Sequence, residues 1–296
     1  MLVVSGGYEG GIVGLEVPDE LTESDTDNYP VRQVFRLLCS QGSIKCMDIS
    51  TDFMACGGAD ETVQVYNLTT KKKHGEIMLS EGYITAISIY GTIKNGLLLI
   101  GNEYGDIAMY NSRDLDFVKL FKGHKADITG ISIYKDSTLF ISTSSDGYLR
   151  LWDLKSQLCI FNTKLEISPI GVCWSNDGSF YLVYSSKEIY KCSTSDDAFK
   201  LFKNDENKYT RCCWLDDKII ACTNSGYVIV YDDDKVHKSQ LHQVRIKDVS
   251  QINGNIITGD SNGQIVCSKL VHDGKTEFTT LWKHQVGIRL NVLVSR

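Results

Sequence analysis

The stretch from Gly123 to Asp153, GHKADITGISIYKDSTLFISTSSDGYLRLWD, constrains this chain more than any other. It holds three short runs of β-type residues, ITGISIY, TLFIS and YLRLW. The second and third runs are joined by Ser144-Ser145-Asp146-Gly147, where Asp and Gly supply the tolerance of positive φ that a tight hairpin needs. Gly123-His124 opens the stretch and Trp152-Asp153 closes it.

A unit of about 40 residues with Gly-His at one end and Trp-Asp at the other resembles a WD repeat, one four-stranded blade of a β-propeller. By its spacing, the resemblance assigns a buried side-chain tetrad to His124, Ser142, Asp146 and Trp152. Burying an imidazole, a carboxylate and an indole N–H costs free energy unless each finds a partner, and these four can satisfy one another. A Ser-His-Asp trio also spells a hydrolase, but its nucleophile would have to face a cleft, whereas this one should lie between blades. The tetrad is therefore read as structural, and no residue of the chain is assigned a catalytic role.

Composition sets the outer bounds. With 296 residues and 42% apolar content the chain can bury a full core as one domain, and 25 Gly against 3 Pro suits many hairpins. The net charge of −6 does not suggest a nucleic-acid binder with a dominant basic face. The ten cysteines, 39, 46, 56, 159, 173, 192, 212, 213, 222 and 267, fall almost all in strand-like runs and form no C-x-x-C pair. The six His residues are not clustered with them, so neither zinc nor any cofactor is expected. The cysteines read as small buried hydrophobes in a reducing compartment. Met1 to Val4 runs straight into Ser5-Gly6-Gly7 without an apolar signal region, and no run reaches membrane-spanning length, so an intracellular protein with no membrane partner is expected.

The same strand pattern recurs along the chain and predicts a single all-β domain, a seven-bladed propeller of four-stranded antiparallel blades. The blades are expected at 44–82, 84–121, 123–166, 168–204, 208–241 and 242–285, with a composite one from 1–39 plus 287–295. The first segment lacks an inner strand and GIRLNVLVS at the end has a spare one, so pairing the two leaves no exposed sheet edge. Tyr66, Tyr110 and Tyr231 stand in the Trp slot of their blades, and Ser268 does so in blade 7, where His242, Thr258 and Asn262 are retained. The insert with Asp19, Glu20, Glu23, Asp25 and Asp27 reads as a solvated loop.

Shorter matches resemble one family, the p21-activated-kinase-interacting, large-subunit ribosome-biogenesis WD-repeat proteins. They are Tyr8-Glu9 with Gly14, Asp60-Glu61-Thr62 with Tyr66 and His74-Gly75, and Gly82-x-Ile84-Thr85 with Tyr90-Gly91. Arg245-x-Lys247-Asp248 and Arg289-Leu290 complete the set. This resemblance implies a non-enzymatic scaffold, monomeric, with pre-ribosomal assembly factors as partners, a p21-activated kinase as a further partner, and a nucleolar location. Family members carry a Lys-rich C-terminal tail that the residues up to Arg296 do not include, so RNA contact is left open. The repeats fit a generic adaptor in ubiquitin ligation or kinase signalling equally well, while a nucleophile elbow, metal cluster, Walker loop or kinase signature is not found.

In a propeller the loops entering inner strands and the turns between second and third strands gather on one face, where surface loops carry function. The residues just before each inner strand read Arg289, Ser43, Tyr83, Asp127, Ser168, Lys208 and Arg245. Tyr83, Tyr104, Lys125, Asp127, Lys208, Arg245 and Arg289 are the partner-binding candidates, and Arg245, Arg289 and Tyr83 lead an expected docking site for an acidic or phosphate-bearing segment. The bland alternative is that these are ordinary solvated loop residues.

Overall fold

In a computed structural model the described residues, 1–18, 31–79, 81–134, 137–195, 199–232, 235–273 and 275–296, form strands β1 to β28 and no helix. The strands pair into seven four-stranded antiparallel sheets, the all-β, seven-bladed β-propeller that the repeats predict. The acidic insert, with Asp25 and Asp27, lies outside the described residues. The chain divides into two compact units, Met1–Cys39 with Asp205–Arg296, and Ser40–Asn204.

The first unit carries three blades. In blade 1, β1 (Leu2–Gly7), β2 (Gly11–Glu16) and β3 (Arg32–Leu38) follow β28 (Leu290–Ser295) in the order β28-β1-β2-β3. The C-terminal strand thus supplies the inner strand that the N-terminal segment lacks, with Val3 opposite Ser295 and Ser5 opposite Leu293. It is packed as well as paired, since Val3, Val13, Ile257, Trp282, Leu290 and Leu293 share one buried cluster.

The second unit carries blades 2 to 5. They are β4 (Ile44–Ile49) with β5 (Phe53–Gly58), β6 (Thr62–Asn67) and β7 (Lys72–Met78), and β8 (Ile84–Tyr90) with β9 (Leu97–Asn102), β10 (Ile107–Asn111) and β11 (Phe117–Phe121). Then come β12 (Ile128–Ile133), β13 (Leu139–Ser144), β14 (Tyr148–Asp153) and β15 (Leu158–Lys164), and β16 (Gly171–Trp174), β17 (Phe180–Tyr184), β18 (Glu188–Ser193) and β19 (Phe199–Lys203). Blades 6 and 7 return to the first unit as β20 (Tyr209–Leu215), β21 (Lys218–Thr223), β22 (Tyr227–Asp232) and β23 (Lys235–Gln240), then β24 (Ile246–Ile252), β25 (Asn255–Asp260), β26 (Gln264–Asp273) and β27 (Lys275–Gln285).

Burial explains the composition of each strand. β5 and β25 are buried at every residue, because a middle strand packs on both faces and so reads as continuously apolar instead of alternating. Outer strands such as β15 are exposed almost throughout. Six cysteines are buried, whereas Cys173, Cys192 and Cys213 are half-buried and Cys159 is exposed, which corrects the reading of all ten as core residues. Cys159 sits on β15, an outer strand that is exposed almost throughout because no further strand of the sheet covers it.

One irregularity recurs. In blades 2, 3, 4, 6 and 7 the register slips after the first inner-strand residue, so that Lys45, Thr85, Thr129, Thr210 and Lys247 are the extra residues of a β-bulge. Asn291 holds the same place on β28. A bulge re-aims the side chain it carries. In blade 5 Pro169, which has no N–H, stands where the first paired residue would be, and β16 begins only at Gly171.

Candidate functional site

The residues in front of the inner strands are fixed by one repeated bond. In the second unit the carbonyls of Ser43, Tyr83 and Asp127 accept the amides of Ala59, Glu103 and Ser145 at 3.3, 3.1 and 3.0 Å. In the first unit those of Lys208, Arg245 and Arg289 accept the amides of Asn224, Ser261 and Tyr8 at 2.9, 3.0 and 3.0 Å. Two residues after each donor the chain takes a positive φ, at Gly10, Gly105, Gly147, Gly226 and Gly263, and in blade 2 at Glu61 (φ 59). A Cβ on Gly226 would meet the His242 carbonyl oxygen at 2.0 Å, so that turn admits only glycine. Backbone positions are thus held while side chains stay outside: Lys208, Arg245 and Arg289 are exposed, Tyr83 and Tyr104 are 44% and 59% exposed, and Asp127 is half-buried. Ser168 is exposed, and Pro169 follows it.

The tetrad side chains meet inside blade 4. Trp152 Nε1 donates to Ser142 Oγ at 2.8 Å, Ser142 Oγ lies 2.8 Å from His124 Nε2, and His124 Nδ1 lies 3.1 Å from Asp146 Oδ2. Burial lowers the His124 pKa more than Asp146 raises it, so the imidazole is neutral near pH 7. With Nδ1–H donating to the carboxylate, Nε2 accepts the Ser142 hydroxyl, and every group in the relay is satisfied. Burial alone would raise the Asp146 carboxyl, but the amides of Lys125 and Tyr148 at 2.9 and 3.0 Å, with His124, hold it below the ordinary carboxylate range. Lys125 therefore joins the network through its backbone while its side chain is exposed. Ser142 is fully buried, with its oxygen engaged by both neighbours.

Blade 7 repeats the relay with one difference from the sequence reading. His242 Nε2 lies 2.8 Å from Thr258 Oγ1 and His242 Nδ1 lies 3.1 Å from the carboxylate of Asp260, not from Asn262. Asp260 ends β25, and its Oδ1 accepts the amides of Asn262 and Gln264 at 2.9 and 3.0 Å, a turn that an Asx side chain caps from its first position. Asn102 and Thr223 cap the turns of blades 3 and 6 from the same place. In blade 7 the capping residue also serves as the acid, so Asn262 is left exposed. Ser268, in the Trp slot, is fully buried with an unpartnered hydroxyl.

Two bulge lysines reach across to an aromatic ring of the next blade. Lys45 Nζ stands 4.7 Å from the centroid of Tyr83. Lys247 Nζ stands 4.7 Å from the centroid of Tyr8 and hydrogen-bonds its hydroxyl, while Arg289 Cζ lies 5.1 Å from the same ring. Among the described residues no group of His, Cys, Asp and Glu could hold a metal ion.

The WD domain, G-beta repeat family matches residues 115–153, the segment that contains this relay. The chain is a seven-bladed β-propeller, and its blade 4 carries the WD-repeat match. It is similar to the p21-activated protein kinase-interacting protein 1-like of Gallus gallus, 27% identical over 276 residues, 90% of this chain and 72% of that one. It is also similar to Shk1 kinase-binding protein 15 of Schizosaccharomyces pombe, 24% identical over 254 residues, 82% of this chain and 72% of that protein. Protein MAK11 of Saccharomyces cerevisiae is 27% identical over 258 residues, 79% of this chain but only 61% of its own length.

In this propeller the candidate residues fall into local groups. Tyr83 and Tyr104 belong to the entry loop and the turn of blade 3, where a Cβ on Gly82 would meet the Tyr104 ring at 2.8 Å. Lys125 and Asp127 share the blade 4 loop with His124, and Lys208, Arg245 and Arg289 enter three inner strands of the first unit. Sequence reasoning missed Lys45, Lys247 and Tyr8 as members of such groups. The signal was present as Ile-Lys at the start of two inner strands, but only the bulge shows where the lysine goes.

Proposed function

We propose that this propeller is a non-enzymatic interaction scaffold that acts in assembly of the large ribosomal subunit, with a p21-activated kinase as a further partner. The observation that carries the scaffold reading is the contrast between its two polar regions. The trio that could spell a nucleophile is sealed in a blade with its hydroxyl engaged, while the exposed cations and tyrosines stand on loops whose backbones are tied down. Rigid loops with exposed Arg and Tyr side chains suit protein recognition. The kinase partner is supported by relatives named as kinase-interacting and kinase-binding proteins. The ribosomal process is supported by the family matches at Asp60-Glu61-Thr62 and Arg245-x-Lys247-Asp248. On this reading the protein resides in the nucleolus.

Purifying the tagged protein from its own cells tests this. Recovery of large-subunit precursors with their assembly proteins is expected, together with a kinase of the p21-activated class. Recovery of a ubiquitin ligase or another signalling complex without ribosomal precursors would replace the reading by that of a general adaptor.

A further inference from the structure

In the first unit β24 lies between β20 and β28, and these three inner strands are joined through one carboxylate. Asp248 accepts the amide of Leu293 on β28 at 2.9 Å and that of Val249 at 3.0 Å, and it pairs with Arg211 Nε on β20 at 3.3 Å. Four further cations stand at the same ends of these strands: Lys208 before β20, Arg245 and the bulged Lys247 at β24, and Arg289 before β28. Among the described residues none of these four forms an ion pair with a carboxylate, unlike Arg211 with Asp248 or Lys238 with Glu206 at 2.6 Å. Lys247 and Arg289 are instead held by the ring of Tyr8, which attracts both through its quadrupole although the two positive charges repel each other. Glu9, next to Tyr8 and exposed, places a negative charge at the same turn.

From this arrangement we infer that Lys208, Arg245, Lys247 and Arg289 form a docking surface for an extended acidic peptide segment, a run of Asp and Glu carboxylates on a partner protein. The cations come from three successive loops, so an occupant with several charges along its length can meet more of them than a single phosphate group can. An extended chain carries a carboxylate every few ångströms and can meet them in turn. A nucleic acid fits less well. The Tyr8 ring is occupied by two cations and is not free to stack a base. Tyr8 acts by positioning, since it draws two side chains that would otherwise diverge onto one site.

The inference rests on the scaffold reading for the existence of a partner, and its own test is chemical. A fluorescein-labelled oligo-glutamate peptide is titrated with the full chain and followed by anisotropy at two salt concentrations. Saturable, salt-sensitive binding is expected, weakened about tenfold or more in the Arg245→Ser/Lys247→Ser/Arg289→Ser variant. Tyr8→Ala should weaken it by a smaller factor, and Glu9→Lys, which reverses the opposing charge without touching the four cations, should tighten it. Retained binding in the triple variant, or an unchanged affinity in Glu9→Lys, would overturn the proposal. So would a peptide with one phosphoserine among neutral residues, or single-stranded oligouridylate, if either bound more tightly than the oligo-glutamate. The scaffold reading fails separately: the tagged wild-type chain would then recover no partners, whereas partners recovered equally by wild type and triple variant would count against this surface alone.

Discussion

Blades 4 and 7 carry the same relay of hydroxyl, imidazole and carboxylate, yet differ at both ends. In blade 4 an indole donates into Ser142, and the acid comes from the turn at Asp146. In blade 7 the acid comes two residues earlier in the hairpin, from Asp260, and with Ser268 in the Trp slot Thr258 Oγ1 has the Val266 carbonyl 3.3 Å away where Ser142 has an indole N–H. The geometry that must be kept is the pair of bonds on the two imidazole nitrogens, 2.8 and 3.1 Å in both blades. Which residue supplies the carboxylate is free, provided that a short side chain at the turn can reach. The lesson is that repeat position and chemical role can part company.

The largest effect should come from breaking the end that only blade 4 possesses. Trp152 stacks on Phe140 at 5.9 Å and meets Phe121 edge-on at 5.5 Å, so Trp152→Ala removes packing as well as a hydrogen bond. A loss of about 3–5 kcal/mol is expected in denaturant unfolding, and a variant as stable as the parent would show that the relay stands without its indole.

Next in size is the exchange of acids. Asp260→Ala leaves His242 and the amides of Asn262 and Gln264 without their acceptor and should cost roughly 2–3 kcal/mol. Asn262→Ala, at the position the repeat pattern favours, should stay within about 0.5 kcal/mol. Thermal melts of the two variants side by side decide between them, and a reversed order would restore the pattern-based assignment.

Acid should separate the parent from a variant at His124. His124 is held below its ordinary value by burial, so the unfolded chain binds that proton more readily and stability falls as the pH drops below about 6.5. Asp146 is held below the carboxylate range despite its burial, so its share is present above about 3.9 and is lost as the pH falls through its folded value. His124→Gln removes the first of these losses, and its melting temperature should fall less steeply between pH 7 and about pH 5 than that of the parent.

The smallest effect sharpens the comparison from the other side. Ser268 buries a hydroxyl that nothing satisfies, so Ser268→Ala should be neutral or stabilise by up to about 1 kcal/mol, whereas Ser142→Ala, which removes the acceptor of Trp152 and the donor to His124, should destabilise. Equal losses in the two variants would mean that Ser268 has a partner after all.

The sequence by itself determined the strands, the hairpins and the sharing of one blade between the two chain ends. Strand preference and turn chemistry act between residues a few positions apart, so Ser-Asp-Gly at 145–147 or a spare run at 287–295 can be read directly. The tertiary structure decided which side chains work together. Lys247 and Tyr8 are 239 positions apart, and a bulge of one residue at the start of β24 brings them into contact. Asp260 became the acid of blade 7 because its backbone place at the end of β25 lets it cap the turn and reach His242 at once. Ile-Lys at the start of a strand, or Asp at the end of one, does not by itself reveal either fact, because a bulge and a cross-blade reach depend on how neighbouring sheets pack and not on the propensity of the residues that take part.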